Sequence, residues 1–169
     1  MKLDEQRKLQ LEEIYNTLLN DEKVLKMKDI PMHFGSNCYE HSFKVAKLAM
    51  KRALRHKSVN LEALLIAAIF HDYYLYDWRK DKSKKKRHGI DHPSIAAKQA
   101  KRDFNISDQS IKMIESHMWP INFKDFPDSK EARILNLADK TVATIEFMSS
   151  TKQKKNHRDK TLEDISELF

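Results

Sequence analysis

Six residues of this chain combine a side chain able to hold a metal ion with a place near a helix end or on an inward face: His41, the adjacent His71 and Asp72, His92, His117 and Asp139. Imidazole and carboxylate donors in that mix suit Fe, Mn, Co, Ni or Zn, and the lack of cysteine among them argues against a structural zinc site. The chemistry such a set supports is activation of water by a divalent ion. Each residue also has a plainer reading when taken singly. His41 reads as a hydrogen-bonded core histidine, His117 as a favourable cation at a helix C-terminus, His92 as a surface residue and Asp139 as half of a lysine salt bridge.

The elements that must position these residues are helical. The stretch LEALLIAAIFHD, Leu61 to Asp72, is apolar on nearly every side and closes on His71 and Asp72, with Ser58 and Asn60 as caps before it. A buried carboxylate is costly unless paired or coordinated, so Asp72 demands partners. From Cys38 to about Arg55, Val45, Leu48, Ala49 and Ala53 mark one face that His41 shares, with Ser36 or Asn37 as cap.

Asp91 reads as the cap of a later helix, with Pro93 in its first turn, Ile95, Ala96 and Ala100 along one side and His92 at its mouth. Ser107 and Asp108 open another helix, which His117 closes before Trp119 and Pro120. Ser129 caps the last strong helix, from about Glu131 to Met148, with a predicted core stripe of Ile134, Leu137, Ala138, Thr141, Ile145 and Met148. Asp139 lies between Leu135 and Val142 in that helix. An amphipathic helix followed by a short second turn, over about Leu3 to Leu25, precedes this core, and a short, weakly amphipathic helix over about 159–168 follows a basic linker. The expected fold is all-α, about six to eight helices in a single domain of residues 1–169. With 2 Gly and 4 Pro in 169 residues, there is little punctuation for an all-β alternative.

Composition bounds the partners loosely. A net charge of +7 favours anions in general, whether nucleotide, nucleic acid or acidic surface. No run reaches the roughly 20 apolar residues of a spanning helix, and MKLDEQRKLQ lacks the apolar centre of a signal peptide, so the expected location is the cytoplasm, with no membrane partner. The single Cys38 reads as a small buried hydrophobe. The lysine-rich run over 79–87 is expected to be solvated; its sharper readings are a rim that draws an anionic substrate and a nucleic-acid patch.

The ordered set H…HD…H…H…D resembles the HD-domain superfamily of metal-dependent phosphohydrolases, over about Cys38 to Met148. The resemblance implies that the helix ends converge on a divalent transition-metal centre. His41, His71, Asp72 and Asp139 match the family's core ligands, and His92 and His117 match the extra histidines of members that hold two ions. Asp72, with two oxygens to share, would bridge; His41, His71 and Asp139 would complete one ion, and His92 and His117 the other. With one ion, those two histidines would contact phosphate instead.

Iron or manganese is the favoured pair, with zinc, cobalt and nickel as alternatives. The implied reaction is hydrolysis of a phosphomonoester or phosphodiester of a small phosphorylated substrate, a nucleotide being favoured, with His71 and Asp72 as catalytic residues. Arg79, His88 and Lys140 are the phosphate-contact candidates. The chain has Tyr73, Tyr74 and Leu75 where stringent-response hydrolases carry an acidic pair, and it has no HHExxDGxGYP segment of cyclic-di-GMP phosphodiesterases. Its Asp77, Trp78 and Arg79 and its HMWP segment are similar to those of small bacterial HD proteins. The alternatives of other classes are a nucleic-acid-binding protein that uses its basic loops and a metal-binding sensor without turnover. A homodimer is left open.

Overall fold

A computed structural model of the chain describes residues 4–32, 35–80 and 87–152. Seven α-helices occur among the described residues: α1 (Glu5–Asn20), α2 (Glu22–Leu25), α3 (Cys38–Ala53), α4 (Leu61–Phe70), α5 (His88–Phe104), α6 (Asp108–Ser116) and α7 (Lys130–Lys152). A 3₁₀ turn, Lys26–Asp29, follows α2. No strand is found among the described residues, which bears out the all-α expectation. The expected helix over 159–168 and most of the lysine-rich run lie outside the described residues.

α4 is the axis of the fold. Its Leu- and Ala-rich sequence favours helix, and the Asn60 carboxamide oxygen accepts the Ala63 N–H at 3.1 Å to cap it. Eight of its ten residues are buried, among them Leu61, Leu64, Leu65, Ile69 and Phe70. Each such side chain contributes roughly 1.5–3 kcal/mol by leaving water. Packing against α1, α3, α5, α6 and α7 covers α4 on every side, which is why its sequence has no polar face. Glu131 at the start of α7 accepts the Asn60 N–H at 2.9 Å and ties the beginnings of the two helices together.

After α4 the chain turns at once into the core. Tyr73 and Tyr74 are buried, Phe70 packs edge-on against Tyr73 with centroids 5.2 Å apart, and Leu75 leaves the turn at φ 46°. Cys38 is also buried; its thiol donates to the Tyr74 hydroxyl at 3.2 Å, which donates in turn to Met32 Sδ. Burial, then the Asp72 charge, pushes the Cys38 thiol up, so it is a packing residue and not a nucleophile.

Two sequence expectations need correction. α5 begins at His88 rather than after an Asp91 cap, because the Arg87 carbonyl already accepts the backbone N–H groups of Ile90 (2.9 Å) and Asp91 (2.8 Å), which winds the first turn before Asp91. Pro93 therefore lies inside the helix, one turn beyond Gly89.

The second correction concerns α7. Leu137, Ile145 and Met148 are more than half exposed. The buried face instead carries Leu135, Ala138, Asp139 and Val142, with Asn136 beside them. α7 packs against α3, α4 and α6 through this partly polar stripe, because the polar groups on it find partners inside.

Candidate metal centre

Five helices deliver their polar residues to one buried point. His71 is the C-cap of α4 and His117 the C-cap of α6, while Asp72 follows His71 in the turn. His41 lies in the first turn of α3, His92 in the second turn of α5 and Asp139 mid-way along α7. All six are buried. The structure brings together every residue that the sequence singled out as a ligand candidate.

Asp72 lies at the middle of the cluster. Its Oδ2 is 3.4 Å from His71 Nε2 and 4.0 Å from His41 Nε2. Its Oδ1 is 3.2 Å from His92 Nε2 and 3.8 Å from His117 Nε2. Asp139 Oδ1 closes the first side, 3.1 Å from His41 Nε2 and 3.7 Å from His71 Nε2. Two triads have donor atoms close enough to share an ion: His41, His71 and Asp139, and His71, Asp72 and His117.

The ring nitrogens point to a cation. His71 Nδ1 donates to the Ala68 carbonyl at 2.8 Å, His92 Nδ1 to His88 O at 2.7 Å and His117 Nδ1 to Ile114 O at 2.7 Å. With the proton on Nδ1, a neutral ring presents a bare lone pair at Nε2. His71 Nε2 is buried and has no hydrogen-bond partner. His92 Nε2 and His117 Nε2 face each other at 3.1 Å, so two neutral rings held this way would set lone pair against lone pair. A buried arrangement of that kind lacks a positive charge, and the donor set fits a divalent metal.

The electrostatics agree. Burial disfavours charge on His41, but hydrogen bonds to Asp139 and Glu146 raise it to about 10. Burial also opposes charge on His71, yet Asp72 and Asp139 raise it; because Asp139 is beyond hydrogen-bond reach at 3.7 Å, its pull is through charge. Burial would raise Asp72 and Asp139, but the facing histidines hold both carboxyls well below their usual range. His117 goes the other way. Burial, then the neighbouring His92 and His71, lowers it to about 3.

Residues 38–144 match the family model described as HD domain. The chain belongs to the HD-domain family. That family implies the superfamily of metal-dependent phosphohydrolases, and the buried histidines and aspartates of this HD domain suit a divalent metal. No curated protein and no solved structure matches the chain.

The three phosphate-contact candidates sit at different depths around the cluster. His88 stacks on His92, centroids 4.7 Å apart, and Trp78 stacks on the other side of His88 at 5.0 Å. Arg79 lies over Trp78 at 5.9 Å and pairs with Asp77 at 3.7 Å, at the outer end of this column of rings. Lys140 donates to the His117 carbonyl at 3.1 Å, and burial lowers its ammonium against the pull of Asp139.

Sequence reasoning missed three residues that serve the cluster. Asn136 donates at 2.7 Å to the carbonyls of both His117 and Trp119, which holds the end of α6 to α7. Glu146 accepts from His41 Nδ1 at 3.0 Å, and Lys44 reaches the other Glu146 oxygen at 3.4 Å. Spacing was the available signal: Asn136 and Glu146 stand three residues before and seven after Asp139, on its side of the helix.

Proposed function

We propose that this HD-domain protein hydrolyses a phosphomonoester or phosphodiester of a small phosphorylated compound, a nucleotide being the favoured class, with two divalent ions. One observation carries the reading: Asp72 turns one oxygen to His71 at 3.4 Å and the other to His92 at 3.2 Å. A carboxylate that faces two sets of imidazoles is suited to bridging two ions. His41, His71 and Asp139 would complete one, and His92 and His117 the other, with iron or manganese favoured over zinc, cobalt and nickel. Bound there, such ions supply Lewis acidity, which lowers the pKa of a coordinated water and draws charge from phosphoryl oxygens.

The chain's own residues supply orientation and charge. The carbonyls of Ala68, His88 and Ile114 hold His71, His92 and His117 with Nε2 toward the centre. Depressed Asp72 and Asp139 stay ionised across the physiological range, so ligand charge does not vary with modest acidification. Asn136 and Lys140 fix the carbonyl of His117 and hence the end of its helix. His71 and Asp72 are the residues assigned to the reacting centre. Arg79 and His88, in one column of rings with His92, are assigned to the substrate phosphate together with Lys140, and the net charge of +7 favours an anionic substrate.

The test is metal analysis of the purified full chain, followed by Mn, Fe, Co, Ni and Zn add-back against a panel of nucleotides and other phosphoesters. Two ions per chain and metal-dependent phosphate release are expected. Absence of bound metal under every add-back condition would end the proposal, and bound metal with no turnover across the panel would favour a sensing role.

A further inference from the structure

We propose that Glu146 is a positioning residue of the metal centre, holding the ring of His41 so that its Nε2 faces Asp139 and Asp72. This inference rests on the metal-dependent reading above. It starts from a difference among the four histidines. Three take their orientation from their own helix. Ala68 O and Ile114 O belong to the last turns of α4 and α6, and they accept from the rings of His71 and His117, Ile114 O alongside the His117 backbone N–H at 3.3 Å. His92 likewise donates one turn back, to His88 O at 2.7 Å.

His41 is oriented differently. It is the fourth residue of α3, and Asn37 O, one turn back, accepts its backbone N–H at 3.1 Å, but its ring takes no carbonyl of its own helix as partner. Its Nδ1 partner comes from across the fold: Glu146 Oε2 on α7, 105 residues away in sequence, at 3.0 Å. α7 thus delivers Asp139 to Nε2 of this ring and Glu146 to Nδ1.

Glu146 is held in turn. Its side chain is only 11% exposed, with Lys44 Nζ 3.4 Å from one oxygen and the Ser36 hydroxyl 3.4 Å from the other. Lys44 stands three residues after His41 on α3, so the helix that carries the ligand also carries the clamp on its positioning carboxylate. A carboxylate behind a metal-bound imidazole keeps the proton on the far nitrogen and makes the near nitrogen a better donor to the ion. The plainer reading is that Lys44 and Glu146 form a structural clip between α3 and α7.

Mn²⁺ titration of the metal-free full chain, followed by electron paramagnetic resonance, separates the two. Glu146→Ala is expected to weaken the tighter Mn²⁺ by ~10–100-fold, the usual range for such a partner. Glu146→Gln, which keeps an oxygen to accept from Nδ1, recovers part of the loss and serves as the measurement if the alanine variant does not fold. Lys44→Met breaks the clip but leaves the carboxylate behind His41, and should bind Mn²⁺ within ~3-fold of the parent, well below that range. If Glu146→Ala and Glu146→Gln bind as tightly as the parent, or Lys44→Met weakens binding as much as Glu146→Ala, the inference is overturned while the metal-dependent reading stands. A parent chain that takes up no Mn²⁺ or other divalent metal overturns that reading, and the inference with it.

Discussion

On the Oδ2 side of Asp72, His41 and His71 face a second carboxylate, Asp139, and a third, Glu146, stands behind His41. On the Oδ1 side, His92 and His117 face each other at 3.1 Å and share Asp72 as their carboxylate. The first side draws positive charge, raising His41 to about 10 and His71 above its ordinary value. The second repels it, since burial and its neighbours lower His117 to about 3. One half of the cluster therefore has to exchange protons for a metal, whereas His117 in the other half offers a neutral imidazole at any pH near 7. Asp72 lies between the two halves, with one oxygen toward each, so both depend on it for charge.

The largest effect should follow from removing that shared group. Asp72→Ala is expected to lose metal from both halves and to drop phosphoester hydrolysis to background, read by elemental analysis and phosphate release. Metal retained at two ions per chain would show that the halves stand without a bridge. Next in size is His117→Ala, which leaves the His41, His71 and Asp139 triad intact. It should lower the count from two ions to one, whereas His41→Ala should remove the more carboxylate-rich site. Equal losses in the two variants would erase the distinction between the sides.

The pH dependence sharpens the same contrast. The pKa of His41 in the folded chain is raised to about 10, so below that pH the ring carries a proton that a metal must displace. Affinity on this side should rise roughly tenfold per pH unit between about 6.5 and 10 if one proton is released. The sign for stability is opposite. A raised histidine contributes stability that is fully present below its unfolded pKa and lost as pH rises toward 10, so the metal-free chain should melt at lower temperature as pH climbs. His117, depressed to about 3, stabilises above about 6.5 and loses that contribution on acidification. Metal titrations across about pH 6–10 and melting curves across about pH 3–10 read both, and a flat affinity profile would refute the proton competition at His41.

Much of this centre was legible in the sequence because its residues break patterns. A helix without a polar face that closes on His71 and Asp72 has no surface explanation, and the caps Asn37, Asn60, Ser107 and Ser129 are side-chain types that accept early helix N–H groups. The start of α5 was misread because Pro93 looked like a first-turn residue, when backbone bonds to the Arg87 carbonyl open the helix one turn earlier. Glu146, Asn136 and Lys44 were invisible because a polar residue on an amphipathic helix reads as solvated. Only the fold reveals that Glu146 meets a ring 105 residues away. In α7 the same assumption failed for the whole helix. Periodicity assigns polar residues to water, but the buried face of α7 holds Asn136 and Asp139, with Glu146 nearly covered.

The smallest predicted effect follows from that misreading and tests it. Leu137 was placed on the core stripe by its spacing from Ile134 and Thr141, but it is 57% exposed, on a flank of α7 with Ile145, Phe147 and Met148, which are also more than half exposed. If this flank faces water, Leu137→Ser removes little packing and should change stability by no more than ~0.5 kcal/mol, the usual range for a surface substitution. It should also leave both halves of the metal cluster untouched, since Asn136 and Asp139 lie on the other side of the helix. Ala138→Ser, one position along and fully buried, should cost more, on the order of 1–3 kcal/mol, by taking a hydroxyl out of water into the packed face of the helix. Denaturant melts of the two variants decide the matter. A Leu137 cost as large as that of Ala138, with a dependence on protein concentration, would mean that this apolar flank is covered by a second copy of the chain and that the periodicity had marked a real interface on the side of α7 away from the histidine–aspartate cluster.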